Sequence, residues 1–181
     1  MPKKLKKRSP REIKALKPYL DEWVNYVEKP DYIDSDPVLF MHAFNEKEDR
    51  LLAGFFAAIM AWGRRDIVIR KVRDLLNRMD NRPADFIGNF SERNVSRFDG
   101  FKHRTFKPVD IKWLVKILQS VLLEFGSFEQ FWEDCHQKAQ QADRPLMSTF
   151  HEEFFALHPE CLQRTRKHIS NADKKSSCKR L

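Results

Sequence analysis

Histidine and cysteine come first, because these side chains ligate metals and act as bases or nucleophiles near neutral pH. The chain holds six His and three Cys. Cys135 adjoins His136, and His151, His158 and Cys161 follow. No His pair stands at i, i+4 and no CxxC occurs, so neither a metal nor another cofactor is expected. An odd number of cysteines without a CxxC pair indicates no disulfide framework and no zinc knuckle. A Walker-type phosphate loop, a dinucleotide glycine fingerprint and a G-x-S-x-G elbow are all absent. The carboxylate pairs Glu133-Asp134 and Glu152-Glu153 are adjacent on helices and point in different directions, so they read as solvated faces.

The basic residues are the more suggestive set. The net charge of +8 is unevenly placed. Residues 1–11 hold six Lys/Arg and no acid; residues 164–181 hold seven Lys/Arg against Asp173, and the stretch between them is net acidic. Basic ends suit nucleic acid or another polyanion, although such runs also serve as solvated tails. Within the chain, Arg64-Arg65 follow an apolar stretch, and His103-Arg104 sit in a predicted loop.

Helices must position these residues. Apolar residues make up 41% of the chain, with fifteen Phe and only five Gly, which supports a packed core of long helices over a turn-rich β fold. Ser9-Pro10-Arg11-Glu12 is a capping box with Pro at the first helical position. Pro18 interrupts the stripe that follows, which predicts a kink, or a short turn and then a helix over 18–29. Residues 30–45 read as an ordered loop. Asn45-Glu46-Lys47-Glu48 is a second capping signal, and the helix behind it, 51–62, is apolar on nearly every face. It should be the central buried helix, with Trp62 ending its buried stripe and Gly63 closing it. Asp66 is placed to cap the next helix, striped by Ile69, Val72, Leu76 and Met79. Short helices near 84–90 and 92–98, then helices from Pro108 to 125, from Ser127 and from Pro145, complete an all-α reading. The longest uncharged apolar stretch, residues 51–62, is too short to span a bilayer, and no secretory signal opens the chain. The expectation is a cytoplasmic protein without a membrane partner.

Ala61-Trp62-Gly63-Arg64-Arg65, His103-Arg104-Thr105-Phe106, Lys167-His168-Ile169-Ser170-Asn171 and Cys178-Lys179-Arg180-Leu181 together resemble an uncharacterised bacterial family of conserved hypothetical proteins. That family is distantly similar to the helix-hairpin-helix DNA glycosylases, and the resemblance runs from about residue 18 onward. It implies an orthogonal helical bundle, incomplete at its C-terminus. A basic arm (1–11) would precede a helical domain (12–162), and a basic segment (163–181) would lead into an absent hairpin-helix. It further implies that Trp62, Arg64 and Arg65 face the DNA minor groove. His103, Arg104, Lys167, His168, Lys174, Lys175 and Ser177 would also contact nucleic acid, and Lys179 would be the Schiff-base lysine. The two hairpin glycines of the glycosylases are replaced here by Lys175 and Ser177.

The functional expectation is a duplex-DNA-binding protein of glycosylase ancestry, serving base-excision repair in the complete family member. The 181-residue chain stops two residues after Lys179, before any carboxylate partner for that amine, and is expected to be inactive. The alternatives are a non-enzymatic nucleic-acid-binding module and a helical protein-interaction domain.

Overall fold

The computed structural model describes residues 9–178, which fall into two units, residues 9–35 and residues 36–178. Lys179 and the basic run over 1–8 lie outside the described residues.

In the first unit, Ser9 caps α1 (Pro10–Ala15) by the reciprocal bonding expected of it. Its hydroxyl oxygen accepts from the Glu12 amide, and its own amide donates to the Glu12 carboxylate at 2.7 Å. The chain turns at Leu16 and continues as α2 (Lys17–Val27), with Pro18 in the first turn, where its missing N–H costs nothing. α3 (Pro30–Ile33) is a single turn. An edge-to-face series of rings, Tyr19–Trp23–Tyr26–Tyr32, runs from α2 to α3. None of the three helices buries a residue, and Leu20 and Trp23 are exposed.

The second unit begins with a short helix, α4 (Leu39–His42), inside a stretch that reads as loop from sequence. Its centre is α5 (Lys47–Met60), which buries Leu52, Phe55, Phe56, Ile59 and Met60. α5 packs against α4, against α6 (Arg65–Arg78), against α7 (Pro83–Gly88) and against α9 (Phe128–Gln141). A 3-10 segment, Glu92–Phe98, leads through a loop to α8 (Pro108–Phe125), which ends on Gly126 at φ +80. α10 (Leu146–Ala156) lies on α9, and a one-turn α11 (Gln163–Arg166) returns to α8. Phe55, Phe131, Phe150 and Phe154, from α5, α9 and α10, interlock as the aromatic core. No β-strand occurs among the described residues; His103 and Phe106 form an isolated bridge.

Three local readings change. The acids at the start of α5 do not cap their own helix: Glu46 makes no side-chain cap, while Glu48 accepts from the Phe128 amide of α9 at 2.9 Å and Asp49 accepts from the Ala84 amide of α7 at 2.8 Å. One helix thus supplies caps to two others. Asp66 does not cap α6; it binds the Arg64 guanidinium. Trp62 is not a core residue, because α5 stops at Met60 and leaves the indole 47% exposed. The described part of the basic segment, 163–178, packs on the unit through buried Thr165 and Ile169.

Candidate functional site

The site is assembled from three stretches far apart in sequence: the turn after α5, the loop before α8, and the segment around α11. The middle stretch is shaped by the His103–Phe106 bridge, whose Phe106 amide donates to the His103 carbonyl at 2.8 Å. Closing so tight a turn puts Arg104 at φ +54, a left-handed conformation that non-glycine residues rarely take.

His103 points inward. Its ring is 3% exposed and its Nε2 lies 2.9 Å from the Met60 carbonyl oxygen. A carbonyl only accepts, so Nε2 carries the proton. Burial pulls the His103 pKa below its ordinary value, against the opposing effect of that hydrogen bond. The residue expected to meet nucleic acid thus pins the loop to the end of α5.

Arg104 points outward. Its Nε donates to the Trp62 carbonyl at 3.1 Å, and its guanidinium stands 5.7 Å from the centre of the Trp62 ring, within cation–π reach. Gly63, at φ +112, makes room: a Cβ there would collide with the Arg104 guanidinium. Gly63 is thus more than a helix stop; it admits the arginine that joins the two turns.

The third stretch is tied to the first turn of α8. Asp110, wholly buried, accepts from Arg164 Nε at 2.9 Å and Nη2 at 2.7 Å, from the Thr165 hydroxyl at 2.8 Å, and from the Lys107 amide at 2.9 Å. Burial raises the Asp110 pKa, but His168, Arg164, Thr165 and the Lys107 amide outweigh it, and the carboxyl stays ionised well below its usual range. The His168 side chain is 6% exposed, with Nε2 at 3.6 Å from Asp110 Oδ2, and that nitrogen has no hydrogen-bond partner.

Between these walls lies an open groove of about 990 Å³, with Ile59 and Phe106 among its apolar lining and Arg104, Lys107, Arg164 and Lys167 among its cations. Arg104 also borders a second hollow of about 500 Å³, with Arg64, Lys71 and Lys102. Lys167 also borders a third, of about 250 Å³, with Arg166, Lys174 and Ser176. The three hollows therefore share residues and form one track, and the third also shares His151, Arg166 and Asn171 with a further hollow of about 500 Å³ where Glu152 and Asp173 end the run of cations. No Asp or Glu is among the residues lining the three.

Of the residues singled out from sequence, Arg64, His103, Arg104, Lys167, His168 and Lys174 lie along this track, His103 with its ring turned inward. Arg65 faces elsewhere, 3.6 Å from Asp36. Lys175 and Ser177 are exposed beside the track, and Lys175 adopts φ +58, a conformation glycine takes without cost. Asp110, Lys107 and Arg164 were not expected here. The visible signal was an acid three residues past Lys107 with Pro108 between, which reads only as a helix start.

A second polar array lies outside the track. The Ser120 hydroxyl is 3.0 Å from His158 Nε2, and His158 Nδ1 is 2.9 Å from Glu160. Ser120 sits mid-helix on α8 and lines none of these hollows, so the array fastens the end of α10 to α8. Among the described residues no group of three or more His, Cys, Asp or Glu is arranged to hold a metal ion, and no helix is long and apolar enough to cross a membrane.

The sequence model of one protein family, described as protein of unknown function (DUF2400), matches residues 36–181, which covers the second unit. No match was found among curated proteins or among solved structures.

Proposed function

The chain belongs to the DUF2400 family, whose function is unknown, and from the geometry of its second unit we propose that it binds duplex DNA along the basic track. The observation that carries this reading is the charge of the track: Lys102, Arg104, Lys107, Lys167 and Lys174 line three linked hollows with no carboxylate among the lining residues, together with Arg64, Lys71 and Arg164, which also pair with Asp66, Asp74 and Asp110 outside the lining. A small anion needs one or two cations. A series spread over linked hollows matches a repeating polyanion, and an exposed indole at the rim adds a surface for bases or sugars. Two helices joined by a short cationic turn, α5 and α6, agree with the further proposal of glycosylase ancestry and a part in base-excision repair.

Binding is electrostatic on this reading, so its affinity falls with salt by a slope of roughly −0.9 for each phosphate neutralised. Titration of a fluorescent duplex at two or more salt concentrations tests it. Arg104→Ala with Lys167→Ala should weaken binding and flatten the slope by roughly two such steps. Equal binding by the double variant would move the footprint off the track. Absence of binding at low salt would favour the helical interaction reading, for which the exposed Leu20 and Trp23 of α2 are the candidate surface.

A further inference from the structure

We infer that Asp110 is the positioning residue of the basic track: it holds the segment over 164–168 against α8 so that Lys167 stands on the groove wall. This rests on the proposed DNA binding for its functional consequence, though not for its structural one. The segment contains one turn of helix, too short to hold its own conformation. Two hydrogen bonds from Arg164 and one from the Thr165 hydroxyl converge on the Asp110 carboxylate, with the His168 ring nearby, while Arg166 donates to the Pro159 and Cys161 carbonyls. Asp110 is itself fixed by the Lys107 amide and by its place in the first turn of an eighteen-residue helix. Arg164 Nη2 also donates to the Thr105 carbonyl at 2.9 Å, so the clamp joins the loop that carries Arg104 to the segment that carries Lys167. Asp110 is wholly buried and does not line the groove. Its effect on a ligand must pass through the residues it holds.

Charge and position pull in opposite directions here, which makes the idea testable. Asp110→Asn removes a negative charge beside a polyanion site, and electrostatics alone would tighten DNA binding. Loss of positioning weakens it. Losing one phosphate contact at Lys167 lowers affinity about eightfold at 0.1 M salt and flattens the salt slope by roughly 0.9.

The test compares wild type, Asp110→Asn, Lys167→Ala and the double variant by duplex titration, with hydrogen exchange on each protein. The expected result is weaker binding and a flatter slope for Asp110→Asn, and no further loss in the double variant beyond Lys167→Ala. Amides over 165–168 should exchange faster while those of α5 and α8 hold. Should Asp110→Asn not fold, Thr165→Val takes its place, since Thr165 is buried and outside the groove lining; it should weaken binding in the same direction. Equal or tighter binding by the folded variant, or unchanged exchange over 165–168, overturns the inference. If wild type binds no DNA, the DNA-binding reading fails, and exchange over 165–168 still decides whether Asp110 holds the segment.

Discussion

The His168 imidazole lies face to face on the Phe106 ring, with centroids 3.7 Å apart and planes 16° from parallel. Phe106 belongs to the loop before α8 and His168 to the segment after α11, so this stack closes the groove floor between two of its three walls. Phe106 is 1% exposed. Its replacement by Ala should cost about 3–5 kcal/mol, from lost transfer energy and the cavity left behind. Urea unfolding measures the total. Hydrogen exchange should show the loss concentrated at 103–107 and 163–170; uniform destabilisation would mean that the stack is ordinary core.

Gly63→Ala should act on Arg104 through space. The added Cβ meets both an unfavourable φ of +112 and the Arg104 guanidinium. A residue forced into so sparse a region costs about 1–3 kcal/mol, read as a lower urea midpoint. The guanidinium must also leave Trp62, so indole fluorescence should change in the folded variant and duplex affinity should fall. A variant with reduced stability and wild-type affinity would separate Arg104 from the binding surface.

Two buried groups predict separate acid responses. His103 is held neutral, its pKa lowered chiefly by burial, so its folded form binds protons less readily than the unfolded chain. Its contribution is complete above about pH 6.5 and is lost as the pH falls toward its lowered native value. Asp110, lowered despite its burial, contributes fully above about pH 4 and loses that contribution as the pH falls further. Urea midpoints should therefore show His103→Gln flattening the profile just below pH 6.5, with wild type and Asp110→Asn drawing together below pH 4. Parallel profiles for wild type and both variants would contradict these assignments.

The sequence by itself determined the longer helices, because helical periodicity is local, whereas the single turns α3 and α4 are too short to show a period and read as loop. The stripes of α6 and α8, the apolar faces of α5, the break at Pro18 and the stop at Gly126 all depend on residues within a few positions of one another. It also placed Arg64, Arg104 and Lys167 in exposed turns or short segments, since charge beside helix ends is locally visible. Only the tertiary structure decided what those residues face. Asp110 meets Arg164 across 54 positions, and His103 reaches the Met60 carbonyl across 43. Glu48 and Asp49 accept from first-turn amides of other helices, 80 and 35 residues away. No spacing rule encodes such pairs. An acid in the first turn of a helix has the same local signature whether it caps its own amides, another helix, or a distant arginine, and the packing of the chain alone selects among them.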